Sequence, residues 1–294
     1  MSHFQPAIIT TSGFALSAAE QTSTALWRNT IDNRFTQPQF LALSGLFHKP
    51  GIGHYELADR VGIDRATIGP ILTRLMEQNL LERRKDPRDS RRSVLTLLPQ
   101  AVVILEEMVA QVEEVNRQLM APLGHAEQAA LVQSWALLGD DLAVKDRGGE
   151  EAADAAAIRP LSHYPWYFLR QACRNYRRLW RERVDENISA SLFALMDAVA
   201  TQPHIDIRGA ALRASIEESN AVRMVMRLVR TRIMRDPRDP QDARRSLLSL
   251  TDSGEQLYAD LSARVPRVQA ALTQRLPPLA VDEFHRLTRL VARL

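Results

Sequence analysis

The stretch Leu80 to Leu98, LLERRKDPRDSRRSVLTLL, sets the tightest limit on what this chain can fold into. Two apolar, β-competent segments flank a polar centre that holds Asp86-Pro87 and a crowd of arginines. Asp and Pro pre-set turns, so the stretch predicts a β-hairpin with a long charged tip. The tip gathers Arg83, Arg84, Lys85, Arg88, Arg91 and Arg92. A cationic hairpin of this kind can reach a phosphate backbone or a minor groove.

The same device returns from Ile233 to Leu250, IMRDPRDPQDARRSLLSL. Internal repetition constrains architecture more than any single motif. Leu26-Trp27-Arg28 matches Leu179-Trp180-Arg181, Ile63 matches Ile216, Arg74-Leu75 matches Arg227-Leu228, and Arg92-Ser93 matches Arg245-Ser246, all 153 positions apart. The start of the hairpin tip departs: Asp86-Pro87-Arg88-Asp89 matches Asp236-Pro237-Arg238-Asp239 at 150 positions. The second copy thus lost three residues before the tip and regained three within it. The expected organisation is a first repeat over 1–144, a linker over 145–160 and a second repeat over 161–294.

Taken in order, the first repeat opens with a helix from Phe14 to Phe35. A second begins near Thr36, where Gln39 stands three residues on in a capping-box pattern, and Lys49-Pro50-Gly51 ends it. Tyr55 to Val61 is a short helix with Leu57, Ala58 and Val61 inward, and Gly62 makes a turn. The next helix carries Ile68, Ile71, Leu72 and Leu75 at helical spacing. Pro70 interrupts it: with Thr67 as N-cap the proline falls in the first turn, and with Asp64 as N-cap the helix should kink. Short helix, turn, amphipathic helix and basic hairpin make a winged helix-turn-helix. Val102 to Leu142 is helical again, broken at Pro122-Leu123-Gly124. Lys145 to Pro160 is a polar linker that could span roughly 50 Å if extended.

The second repeat predicts helices over Tyr164 to Asn187, Ile188 to Ala200, Arg208 to Ala214 and Ile216 to Arg232, the last with Ala221, Met224, Val225 and Leu228 inward. Helices over Ser253 to Leu276 and Ala280 to Leu294 follow its hairpin. The fold class is mainly α with small β-hairpin wings.

Charge and composition narrow the function. The net charge is +3 and the pI about 9.3. Almost all the positive charge is Arg, with lysine only at 49, 85 and 145. Arginine suits phosphate and guanine contacts, although a GC-rich genome gives the same bias. The single Cys173 excludes an internal disulfide and fits a reducing compartment. No apolar run approaches the roughly 18 residues that a membrane span needs. Ala7 to Ala19 has no Lys or Arg before its apolar part, so it is not read as a signal peptide. A cytoplasmic protein without membrane association is expected. The histidines form no HExxH or Cys/His cluster, and no Walker loop or nucleophile elbow occurs, so neither a metal, a cofactor nor an enzyme is expected.

At this point the sequence ELADRVGIDRATIGPILTRLMEQNLLERRKDPRDSRRSVLTL, from Glu56 to Leu97, resembles the MarR family of bacterial transcription regulators. In the second repeat the hairpin and Leu250-Thr251-Asp252-Ser253-Gly254 are similar to that family as well. The first repeat has Leu97-Leu98-Pro99-Gln100-Ala101 in place of that Leu-Thr-x-x-Gly step. The resemblance implies heads that bind duplex DNA and terminal helices that build a dimer body. Family members are usually single-headed homodimers, and this chain departs by joining two heads. It implies an intramolecular pseudo-dimer, with the two domains joined by a helical dimerisation-type body. Further homodimerisation remains open.

Within such a head, the second helix enters a major groove. The expected DNA contacts in the first repeat are Arg65, Thr67, Thr73 and Arg74, with Arg88, Arg91 and Arg92 in the wing. In the second they are Asn220, Arg223 and Arg227, with Arg230 on the same face and Arg238, Arg244 and Arg245 in the wing. Glu217 and Glu218 oppose phosphate there. They keep open the alternative that the second head binds a ligand or protein instead of DNA. The resemblance also implies a small effector, an aromatic carboxylate held by an arginine early in a first helix. Arg170 occupies that place with Trp166, Tyr167 and Tyr176 near it, and the alternative is core aromatics beside a surface arginine. Cys173 lies two turns beyond the position where peroxide-sensing members carry their cysteine, so it reads as a buried thiol. The expected protein is a repressor of transcription released by such a ligand.

Overall fold

The computed structural model describes residues 8–31, 35–86, 89, 93–139, 158–237 and 247–294. They group into two compact units, one of Thr22–Ala172 and one of Met1–Gln21 with Cys173–Leu294. We call these the first and second units.

The first unit takes residues 22–30 of α1 (Ser12–Thr30), then α2 (Gln37–His48), α3 (His54–Val61), α4 (Arg65–Glu77), β1 (Leu81–Lys85), β2 (Ser93–Leu97), α5 (Pro99–Met120) and α6 (His125–Leu138). A 3-10 turn over Leu161–His163 and residues 165–172 of α7 (Pro165–Arg183) complete it. α2 starts on the predicted capping box: Thr36 N–H donates to Gln39 Oε1 at 2.8 Å, and Gln39 N–H donates back to Thr36 Oγ1 at 3.4 Å. α2 is the unit's central element, with Phe40, Leu41, Ala42, Leu43 and Leu46 wholly buried. Phe40 sits in an aromatic cluster with Trp27 (5.7 Å), Tyr164 (6.0 Å) and Trp166 (6.2 Å), the last two contributed by 158–172. β1 and β2 pair antiparallel from Leu81↔Leu97 to Lys85↔Ser93, the predicted hairpin. Leu81 and Leu95 root it in the core, and β1 becomes exposed from Arg83 outward.

The second unit joins 8–21 to residues 173–183 of α7, then α8 (Ala190–Thr201), α9 (Ile207–Arg213), α10 (Glu218–Arg230), β3 (Met234–Arg235), β4 (Ser249–Leu250), α11 (Asp252–Thr273) and α12 (Ala280–Ala292). Its core is an aromatic file, Tyr176 to Trp180 (6.1 Å), Trp180 to Phe193 (5.5 Å) and Phe193 stacked on Tyr258 (5.4 Å). The 8–21 segment is bound into this unit by polar contacts. Gly13 N–H donates to Gln269 Oε1 at 3.0 Å, Arg177 pairs with Glu20 at 2.5 Å, and the buried Cys173 thiol donates to Leu16 O at 3.3 Å.

Backbone features recur at the sequence interval of 153. Gly51, Gly62 and Asn79 have left-handed φ of 76°, 66° and 56°, and His204, Ser215 and Arg232 have φ of 67°, 50° and 59°. Trp27 donates its indole N–H to the carbonyl eight residues on, Phe35 O at 3.0 Å. Trp180 does the same to Ile188 O at 2.6 Å. The inward faces agree as well: Ile68, Leu72 and Leu75 of α4 are buried, as are Ala221, Val225 and Leu228 of α10. Ile71 and Met224, both expected inward, are only half-buried.

Some boundaries differ from the reading of the sequence. α1 stops at Thr30 rather than Phe35, and α10 begins at Glu218 rather than Ile216. Asp64, not Thr67, is the N-cap of α4, and the helix runs through Pro70. Pro70 therefore lies past the first turn and removes one backbone hydrogen bond, the one to Ala66 O. Ala66 is exposed.

Candidate nucleic-acid interface

In the first unit, α3, the turn at Gly62 and α4 form the helix-turn-helix. Only a residue tolerant of left-handed φ fits the turn, and a Cβ at Gly62 would run into the Gln171 amide. The turn releases the chain so that Ile63 N–H donates to Ala58 O at 2.9 Å. α4 then presents Arg65, Ala66, Thr67, Pro70, Thr73 and Arg74 to solvent. Thr67, Thr73 and Arg74 are thus on the outward face, as expected. A Cβ at Gly69 would meet nothing within 4 Å, so this strip is shallow.

Arg65, the first residue of α4, is held rather than loose. Its Nη2 donates to Asp59 Oδ2 at 2.9 Å, and its guanidinium lies 5.2 Å from the centroid of the Tyr55 ring. The hydrogen bond and charge of Asp59 raise the Arg65 pKa further. Neither Tyr55 nor Asp59 was singled out from the sequence. The only signal was their spacing of four on α3, six residues short of an arginine at the start of α4.

In the second unit, α9, Ser215 and α10 repeat the arrangement with other chemistry. Asn220 is half-buried and its amide oxygen accepts from Arg223. Arg227 Nη2 donates to Asn187 O at 2.9 Å. Both arginines are exposed, as are Arg208, Arg213 and Arg230. Glu217 is the N-cap and Glu218 lies in the first turn, where the helix dipole favours carboxylates. At the positions of Asp59 and Thr73 stand Leu212, 81% exposed, and Met226, 66% exposed.

The hairpin arginines fall differently. Arg83 and Arg84 are exposed on β1, and Arg84 pairs with Glu82 at 2.5 Å. Arg88, Arg91, Arg92, Arg238, Arg244 and Arg245 lie outside the described residues.

The four side chains read as an effector site are divided between the units. Trp166 and Tyr167, 1% and 2% exposed, belong to the first unit's core, where Trp166 meets Trp27 at 5.5 Å. The Tyr167 hydroxyl donates to Arg60 O at 3.4 Å, and Arg170 is half-buried on the same helix. Tyr176 belongs to the second unit. It borders a cavity of about 10 Å³ with Ile8, Phe14, Ser17, Ala190 and Ser215, room for about one water molecule. Burial pushes its phenol pKa up, so it stays protonated.

Residues 35–93, from the entry to α2 as far as the first residue of β2, match the model of the MarR family. The chain is 27% identical over 113 residues to the transcriptional regulator HosA of Escherichia coli O111:H-, covering 38% of this chain and 83% of that one. It is also 27% identical over 121 residues to the HTH-type transcriptional repressor NicR of Pseudomonas putida, covering 41% and 77%. Among solved structures, the PcaV transcriptional regulator of Streptomyces coelicolor with its natural ligand aligns at 31% identity and TM-score 0.44, covering 45% of this chain and 94% of that one.

Proposed function

With residues 35–93 a MarR-family segment, we propose that this chain is a sequence-specific DNA-binding transcription regulator with two winged helix-turn-helix heads, acting as a repressor. The observation that carries the reading is the order α3, Gly62, α4 and basic hairpin, of which the matched segment holds all but the second strand beyond Ser93. Such a head lays its second helix in a major groove and its hairpin along the backbone. The second head, over α9, α10 and the β3–β4 hairpin, follows from the interval of 153 in sequence and in left-handed residues. The proposed domains are 1–144, a linker over 145–160, and 161–294.

The chain on this reading is its own pseudo-dimer. In support, each compact unit includes the first turns of the helix that opens the other repeat, 12–21 in one and 165–172 in the other. Exchange of equivalent elements is a low-cost route by which two like units associate.

The proposed effector is a small aromatic carboxylate that releases the DNA. Arg170, half-buried one turn beyond Trp166 and Tyr167, would hold its anionic group. The reading of the second head as a protein- or ligand-binding module has Leu212, Met226, Glu217 and Glu218 in its favour. The five exposed arginines on α9 and α10 weigh against it.

The test is fluorescence anisotropy with fragments of the source genome across a salt series. Specific binding whose affinity falls steeply with salt supports the reading, and salt-independent binding or none overturns it. Isothermal titration with a benzoate series, on the chain and on Arg170→Ser, tests the effector. Equal binding by both would remove Arg170 from the site.

A further inference from the structure

The two helix-turn-helix segments carry different charge. Residues 54–78 hold three Arg against four Asp or Glu, whereas residues 207–231 hold five Arg against two Glu. All five of those arginines are exposed. On α4 the small residues Ala66, Gly69, Pro70 and Thr73 lie between Arg65, fixed by Asp59 and Tyr55, and the exposed Arg74. At the corresponding places α10 has Ser219, Val222, Arg223 and Met226.

From this contrast we infer that the heads divide the work on DNA: the second head supplies the greater part of the backbone attraction, and the first supplies base selectivity through Arg65, with Asp59 as its positioning residue. The inference rests on the reading of the chain as a two-headed DNA-binding protein.

Counterion release depends on the number of phosphates neutralised, and an exposed arginine without a carboxylate partner neutralises more effectively than a paired one. The charge of Arg65 is already countered by Asp59 at 2.9 Å, which weakens it as a phosphate ligand. The same pairing restricts its rotamers, so less side-chain freedom is lost when it docks on a base edge. A guanidinium has five donors, and the Asp59 bond uses one, which leaves enough for a bidentate contact to guanine O6 and N7. The shallow strip beside it lets α4 approach the base edges closely. On α10, Glu217 and Glu218 meet whatever enters at the N-terminal end, while Arg223, Arg227 and Arg230 lie further along toward its C-terminal end, and Arg208 and Arg213 stand on α9.

The experiment uses the full chain and an operator selected from random duplexes, with a scrambled duplex of equal length as control. For Arg223→Ala/Arg230→Ala, the salt slope of log affinity is expected to fall by about 1.8, and the operator-to-scrambled ratio to stay within about twofold. For Asp59→Asn, the ratio is expected to fall about tenfold or more, with the slope unchanged to within about half a unit. Asp59→Glu, which restores a carboxylate, should recover part of that ratio. An unchanged slope in the double variant, or an unchanged ratio in Asp59→Asn with a melting temperature like that of the parent, overturns the division of labour. A purely structural role for Asp59 would lower affinity for both duplexes alike and would overturn it too. Absence of salt-dependent binding in the unaltered chain is a different failure, that of the DNA-binding reading itself.

Discussion

The hydroxyl of Tyr258 donates to Asp197 Oδ1 across 2.7 Å, and both residues are buried in the second unit. The residues 153 positions earlier, Ser44 and Leu105, are wholly buried too, but Leu105 has no donor to offer a partner. The second unit thus carries a buried polar link between α8 and α11 that Leu105 cannot make in the first. Removing one partner of such a link costs more than the link contributes, because the other loses a buried hydrogen bond. Tyr258→Phe should lower unfolding free energy by about 1–3 kcal/mol, measured by urea denaturation. A change within experimental error would mean that water or another donor replaces the phenol freely.

The helix-turn-helix turn gives a second expectation. Gly62 has φ of 66°, and its missing Cβ leaves room for the Gln171 amide. Gly62→Ala should cost about 1–2 kcal/mol for the left-handed backbone alone, and more from the clash with the amide. Gln171→Ala relieves only the clash. The double variant should therefore be less destabilised than the sum of the two singles, a coupling visible in a double-mutant cycle. Strict additivity would mean that Gln171 moves aside at no cost.

His285 makes a pH prediction. Burial pulls its pKa below the ordinary 6.5, aided by the Arg289 charge and opposed by Asp282. Its ring Nδ1 lies 3.4 Å from Ser12 Oγ. The unfolded chain then binds the proton more readily than the folded one. The stabilisation is present above pH 6.5 and is lost as pH falls through that value toward the lower folded pKa. A melting curve series from pH 7.5 to about 5 should show a smaller acid loss in His285→Gln than in the parent. Parallel curves would show that the imidazole titrates alike in both states.

Much of this was legible before the fold. The inward residues of α4 and α10, the Thr36 capping box and the hairpin at Leu81↔Leu97 all follow from local spacing, which the sequence carries directly. Pro70 was not legible, since the choice of Asp64 or Thr67 as cap depends on how α3 delivers the chain at Gly62. Nor was the Asp59–Arg65 bond, which joins two helices at an angle that no periodicity encodes. Trp166 and Tyr176 had the composition of a binding site, but aromatics serve core and pocket equally well. Only packing separates Trp166 against Trp27 and Phe40 from Tyr176 in the other unit.

The hairpin tips are to be tested through DNA, since Arg91 and Arg92 lie outside the described residues. Arg91→Ala/Arg92→Ala should weaken binding across all sequences and flatten the salt slope by about 0.9 for each phosphate that is no longer neutralised. Unaltered affinity would show that the hairpin does not touch DNA.

The last prediction concerns assembly. A homodimeric regulator needs two chains to present two heads, and this chain carries two heads of its own on the proposed reading. Residues 12–21 are built into the unit of the second repeat, and residues 165–172 into that of the first. Gly13, Leu16 and Glu20 bond to Gln269, Cys173 and Arg177, while Trp166 and Tyr164 join the cluster around Phe40. On the pseudo-dimer reading, an exchange of this kind inside one chain completes the body without a second chain. Light scattering should give a particle of 33.2 kDa. Titration should give one chain per operator, with half-sites one helical turn or a multiple apart. A stable species of about twice that mass, cross-linked between the same residue in two first repeats, would overturn the intramolecular pseudo-dimer. A doubled mass with cross-links only elsewhere would leave it standing and add a second interface. The pairs Leu16–Cys173 and Glu20–Arg177 offer the direct check. Cysteines at Glu20 and Arg177 should cross-link within a chain at dilute concentration, and cross-linking only between chains would overturn the pseudo-dimer as well.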